Sequence, residues 1–192
     1  MARAKSPIYV VPFKRRREGK TIFKKRLALL ESRKPRLVVR KTNRNMIVQI
    51  IAFMPEGDRT LVAVNSKKLK EFGWVPKRNM PTSYLAGFLA GKMAKAKGIG
   101  EVVLDIGRHT PSFQSIVFAA LKGAIDAGMG SKLGMELSEE RIKGVHIAEY
   151  AKLLKEDKEK YAKQFSEYVK NKVEPEKLPE LFEKVKAKIS ES

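Results

Sequence analysis

The 192-residue chain contains no cysteine. Disulfides, thiolate zinc sites and cysteine nucleophiles are therefore excluded. Histidine is nearly as scarce, with only His109 and His146, so a catalytic metal would have to lean on carboxylates. Carboxylates are themselves outnumbered: 21 Asp plus Glu stand against 41 Lys plus Arg, a net charge of +20. An excess of that size calls for a polyanionic partner, nucleic acid first and an anionic membrane surface second. Long apolar runs are also missing. The run Ile8 to Phe13 is broken by Pro12 and followed by basic residues, the wrong length and order for a secretory leader. Nothing approaches the length of a membrane span. A soluble, cytoplasmic protein is expected.

Hydrophobic residues make up 43% of the chain, enough for a real core. The length suggests one domain with an appendage. The charge is polarised. Residues 1–50 hold 16 basic and 2 acidic side chains, whereas residues 101–150 hold 5 and 7. Contact with a polyanion is thus expected in the first half. Its densest stretch is Lys14-Arg15-Arg16-Arg17, followed by Lys20, Lys24, Lys25 and Arg26. Such arms commonly contact nucleic acid, each neutralised phosphate releasing a counterion.

Pro7, Pro12 and the charge run predict an extended arm over residues 1–21. A short amphipathic helix follows from Ile22 to Ser32 and stops before Pro35. Arg36 to Lys41 and Met46 to Met54 read as strands around the polar turn Thr42-Asn43-Arg44-Asn45. The second is so continuously apolar that both its faces should be covered. Thr60 to Val64 predicts a third strand of an antiparallel meander. A helix should run from Asn79-Met80-Pro81 to about Lys97, with Gly87 and Gly91 allowing close approach of a neighbour. A buried strand follows at Val102 to Ile106, joined in parallel because its connection is long and helical. Ser112 should cap the next helix, which buries Phe113, Ile116, Val117, Ala120, Leu121 and Ala124 and ends at Gly128. This order predicts an α/β fold, helices on a mixed sheet, over residues 22–134. Residues 135–192 read as a helical extension with three helices, Ser138 to Leu154, Glu156 to Lys172 and Pro179 to Ile189.

Little in the chain suggests catalysis. Two-metal nuclease chemistry needs several converging acids. The first strand has none, and only Asp105 stands at a strand end. Gly107 to Ser112 opens a helix and could hold a phosphate, but it lacks the spacing of a nucleotide-hydrolysing loop. Gly128-Met129-Gly130-Ser131-Lys132 follows a helix and reads as a flexible connector. His109 is either an RNA contact or an ordinary loop residue, and His146 is expected to pack in a helix. No metal or cofactor is expected. The hairpin turn is more informative. Arg40, Lys41, Thr42, Asn43, Arg44 and Asn45 sit at one end of a rigid element, where Arg and Lys suit phosphates and Thr and Asn suit bases or 2′-hydroxyls.

Several segments resemble a known family. Tyr9-Val10-Val11-Pro12-Phe13-Lys14-Arg15-Arg16-Arg17-Glu18-Gly19-Lys20-Thr21 is similar to the start of the archaeal and eukaryotic type of the L-eighteen family of large-subunit, 5S-rRNA-binding ribosomal proteins. Pro35 to Asn43 with Gln49-Ile50 resembles that family's central signature. So do Leu104-Asp105-Ile106-Gly107-Arg108-His109-Thr110-Pro111 and Phe118 to Ala124, and Glu140-Arg141-Ile142 with His146 to Ala151 completes the set. The likeness runs in order over about residues 8–154. Gly128 to Leu137 departs from it, being shorter and richer in glycine. The resemblance implies a ribonuclease-H-like sandwich without its catalytic acids. It implies no enzymatic activity and no small-molecule substrate. Its implied partners are 5S rRNA, large-subunit rRNA and neighbouring proteins of the central protuberance. The arm from Lys14 to Arg26 and the turn from Arg40 to Asn45 become the expected RNA contacts. Asn79, Thr82 and Ser83 at a helix start, with Arg108 and His109, are added by their place beside the same sheet edge. A generic basic RNA-binding factor outside the ribosome is the alternative.

Overall fold

A computed structural model describes residues 6–191; the first five residues of the expected arm lie outside the described residues. The meander forms where alternation and turn chemistry dictate it. Strand β1 (Arg36–Lys41) pairs antiparallel with β2 (Met46–Ala52), closing on Lys41 opposite Met46. The four-residue turn is fixed by Thr42, whose hydroxyl donates to the Asn45 carbonyl and accepts the Asn45 N–H. Strand β3 (Arg59–Asn65) follows antiparallel to β2, with a register shift at Ile50/Ile51. Strand β4 (Val103–Asp105) joins β1 in parallel, giving the order β3-β2-β1-β4. The expected mixed α/β architecture is thus observed. The parallel strand is shorter than expected, because Val102 instead bonds to Gly130 outside the sheet.

One face of the sheet carries Leu37, Val39, Val48, Ile50, Val62 and Val64, all buried. Against it lies α3 (Met80–Ala96), whose Asn79 side chain caps the Thr82 N–H. The expected single buried stripe is too modest: Met80 to Gly91 is buried all round. The reason is position. Helix α3 has the sheet on one side, α4 (Ile116–Asp126) on another, and the C-terminal helix α9 (Leu178–Glu191) running alongside it from Tyr84 to Lys92. Gly87 and Gly91 face α4, as their spacing suggested. A Cβ on Gly87 would overlap the Ala120 carbonyl, and one on Gly91 would sit 2.7 Å from the Ala127 Cβ.

Several local expectations are corrected. Strand β2 is not covered alike on both faces; its residues alternate between buried and half-buried. Lys14–Arg17 form one helical turn, α1, rather than extended chain. Helix α2 (Phe23–Glu31) follows as expected but buries none of its residues. The stretch Ser66–Phe72 is a 3-10 helix begun by the Asn65 side chain. Ser112 does not cap α4. The preceding loop turns through Gln114 at φ 51°, the helix starts after Ser115, and Phe113 is left 75% exposed.

The glycine-rich connector is pinned. Gly130 pairs with Glu101, and Met129 is buried. Beyond it, the first two expected helices are each divided. Gly144, at φ 84°, separates α5 (Glu139–Lys143) from α6 (Val145–Leu154), and Phe165 separates α7 (Lys158–Gln164) from α8 (Ser166–Lys170). His146 is exposed on α6 rather than packed. These helices share the main core. Leu178, Phe182, Val185 and Ile189 are buried with Trp74 and Tyr84. Burying four such side chains contributes about 6–12 kcal/mol before entropy is counted, enough to hold a 14-residue helix that would be marginal alone.

Candidate nucleic-acid interface

The second face of the sheet is polar at its centre. Alternation places Arg36, Val38 and Arg40 there, beside Gln49 and Ile51 of β2. Asp105, at the end of β4, is drawn between the two arginines. Its Oδ2 accepts from Arg36 Nη1 at 2.8 Å and its Oδ1 from Arg40 Nη2 at 2.9 Å. Arg36 Nη2 reaches Asp58 at 2.7 Å, and Asp58 also binds Arg26 of α2 at 3.0 Å. Burial by itself raises the Asp105 pKa. The Arg40 charge, with hydrogen bonds from Arg40, the Gly107 N–H and Arg36, outweighs burial and holds the carboxyl below its ordinary value. Asp105 is thus an acid committed to two arginines. Among the described residues no group of three His, Asp or Glu side chains could hold a metal ion.

This network fixes the loop after β4. The Gly107 N–H donates to Asp105 Oδ1, and a Cβ on Gly107 would stand 2.8 Å from the Arg40 guanidinium carbon. The left-handed φ of 63° and the packing both suit glycine there. The loop is thereby held beside the end of β1. His109 is half-buried, and its pKa is lowered first by burial and then by the charges of Lys41 and Arg40. At neutral pH it offers a neutral imidazole. Arg108 is exposed and reaches back to Gly19, where a Cβ would lie 3.4 Å from its Nη1. Arm, hairpin end and loop therefore meet along one edge.

The arm is more organised than a free tail. Arg15 Nε donates to the Thr21 hydroxyl at 2.9 Å, and the Phe13 and Phe23 rings lie 5.8 Å apart, tying α1 to α2. Lys14, Arg15, Arg16, Arg17, Lys20, Lys24 and Lys25 are exposed, Lys20 pairing with Glu18. At the hairpin tip Lys41, Asn43 and Arg44 are also exposed, while the Thr42 hydroxyl serves the turn. Asn45 is half-buried and shares its side-chain oxygen with Ser66 at 3.5 Å.

Asn79, Thr82 and Ser83 stand elsewhere, at the start of the buried helix. Thr82 and Ser83 are fully buried. The Thr82 hydroxyl accepts from Trp74 Nε1 at 2.9 Å, and Ser83 donates to the Ile116 carbonyl. Asn79 caps α3 and donates to the Tyr168 hydroxyl at 3.4 Å. In this structure Thr82 and Ser83 have no surface to offer RNA, and their polar atoms serve the fold. The acidic links of Arg36 to Asp58 and Asp105 escaped the sequence reading. Their one local signal was that Arg36 and Arg40 share strand parity, which puts two charges on one face.

Comparison with known protein families gives a match over the N-terminal part of the chain. Residues 8–98 match the family described as ribosomal large subunit proteins 60S L5 and 50S L18. The match spans α1 to α3 and the whole meander, while β4 and its loop lie outside it.

Proposed function

Because this chain belongs, through residues 8–98, to the family of large-subunit ribosomal proteins 60S L5 and 50S L18, we propose that it binds 5S rRNA and helps attach it at the central protuberance. The family is one of structural ribosomal proteins and not of enzymes. Partners in the large subunit, both rRNA and protein, follow at that general level. The observation that carries the finer reading is the convergence of three exposed cationic segments on one edge: α1 with its flanks, the hairpin tip, and Arg108 of the loop after β4. We divide the chain accordingly into an arm to residue 21, an α/β core to residue 134 and a helical extension that steadies α3. The RNA contacts we propose are Lys14, Arg15, Arg16, Arg17, Lys20, Lys24, Lys25, Arg26, Lys41, Asn43, Arg44, Arg108 and His109. Arg40, Thr42 and Asn45 hold that surface in shape.

Competition titration tests the assignment: labelled 5S rRNA against unlabelled tRNA and a scrambled RNA of equal length, at near-physiological salt. A strong preference for 5S rRNA is expected. Equal competition would favour a generic RNA-binding factor.

Within that assay, replacing Arg15, Arg16 and Arg17 by Gln should weaken binding about 10- to 100-fold and reduce the log-affinity against log-salt slope by about 2–3. An unchanged slope would remove α1 from the interface. Replacing Asn43 and Arg44 by Ala should narrow the discrimination between 5S rRNA and competitors. A uniform loss of affinity for every RNA would make the tip a phosphate clamp instead.

A further inference from the structure

Helix α2 crosses the polar face of the sheet without closing on it. A cavity of about 600 Å³ remains, walled by α1 and α2 on one side and by β1, β2 and the end of β4 on the other. That volume falls in the range of sites that take small organic groups. Its apolar lining is Leu29, Val38 and Ile51, with Ile22 exposed at the rim. Its mouth carries Arg15, Lys20 and Lys25, and deeper in lie Arg36 and Arg40. The two acids of the lining, Asp58 and Asp105, are already held by arginines. Arg36 is 4% exposed, and its Nε–H, sealed from solvent, has no hydrogen-bond acceptor. A buried donor left unpaired costs about 1–3 kcal/mol, and a small shift of the Arg36 side chain toward the cavity would let an entering carbonyl or ring nitrogen satisfy it.

We infer that this cavity receives an unstacked nucleotide of the bound RNA, its base against the apolar wall near Arg36 and its phosphate at the cationic mouth. The inference rests on the RNA-binding reading and adds a site to it. Charge decides between occupants. A basic lining whose acids are both neutralised suits a group that is flat and apolar at one end and anionic at the other. It does not suit an acidic or basic peptide side chain alone. Single-stranded RNA supplies such groups wherever a loop or bulge splays its bases.

The test fills the space and leaves every charge in place. Ile51→Trp enters the cavity from the sheet, and Leu29→Trp enters it from α2. Ala63→Trp adds the same ring to an exposed position of β3, opposite Gln49 and outside the cavity lining. Affinity for 5S rRNA is measured over a salt series, with a thermal melt to confirm folding. Both filling variants should bind about tenfold or more weakly with a salt slope lowered by no more than about 1, the single phosphate at the mouth, and Ala63→Trp should bind as the native chain does. Native affinity in either folded filling variant would overturn the pocket and leave the cavity to a protein neighbour. A loss accompanied by a slope lowered by about 2–3 would also overturn it, because the ring would then have displaced the phosphate contacts of the arm. Failure of the native chain to bind any RNA would overturn the functional proposal itself, which the first titration reveals separately.

Discussion

Replacing Gly87 by Ala should lower the melting temperature by about 10 °C, although alanine is the better helix former. Two effects oppose each other. In an exposed helix the change would gain about 1 kcal/mol of propensity. Here α3 and α4 approach so closely that the new Cβ would overlap the Ala120 carbonyl oxygen and lie 2.8 Å from the Ala120 Cα. The obstacle is backbone, not the far end of a flexible side chain, so the helices must part. Gly123 forms the reciprocal contact from α4, its own missing Cβ facing the Tyr84 carbonyl and lying 2.8 Å from the Phe88 nitrogen. Forced overpacking costs about 1–3 kcal/mol and sometimes more. Separating two helices also loosens Leu85, Leu89, Val117 and Leu121 around them, which puts the net loss at about 2–4 kcal/mol. A chain of this size loses roughly 2–4 °C per kcal/mol. Differential scanning calorimetry checks it. A melting temperature equal to or above the native value would show that the helix pair is not packed as described. Gly98→Ala is the contrast: a Cβ there meets nothing, but φ is +73°, so any loss would come from backbone strain alone.

That contact was legible in the sequence because two glycines four apart on an otherwise apolar helix have few other uses. The meander was legible for a similar reason. β-branched runs flank a polar four-residue turn, and the strand bounds of β1 fall where the run begins and ends. Other features depend on neighbours distant in sequence. The apolar run of β2 suggested two covered faces. In the structure its second face looks across a cavity at a basic helix that buries nothing, and local composition does not encode that gap. The breaks at Gly144 and Phe165 lie inside helical patterns that hydrophobic spacing alone reads as continuous. Among candidate site residues, the exposure of the cations could be read from type and density. Thr82 and Ser83 could not, because the same hydroxyls that suit RNA also suit a buried indole N–H or a helix-end carbonyl. The Arg36 network joins residues 22 and 69 positions apart, and its members are visible one by one but not as partners.

The second large effect is expected at Asp105, where Asp105→Ala should cost about 3–5 kcal/mol. Asp105 is 6% exposed, and its carboxylate faces two guanidinium groups. Without it Arg36 keeps only Asp58, Arg40 loses its acidic partner, and the Gly107 N–H loses its acceptor. The penalty arises chiefly from stranding buried positive charge, since removing one partner of a buried pair costs far more than the pair gains. Asp105→Asn retains the shape and an acceptor for Gly107, and its loss should be about half as large. The charge itself is isolated by pH. The folded-state pKa of Asp105 is lowered, so its contribution to stability is present in full above the unfolded value of about 3.9 and is lost as pH falls through the folded value. Above pH 5 the stability gap between the native chain and Asp105→Asn should be constant. As pH falls below about 4 the gap should shrink, because protonated aspartic acid and asparagine then present the same uncharged group. Melting curves from pH 7 to pH 3 decide it, and a gap that persists unchanged to pH 3 would mean that geometry and not charge holds the arginines. The same variant bears on RNA binding. Arg40 and the loop carrying Arg108 and His109 are positioned through this carboxylate, while the exposed cations of α1 are not. Asp105→Asn should therefore lower affinity for 5S rRNA and leave the salt slope as it was, a signature opposite to that of neutralising Arg15, Arg16 and Arg17.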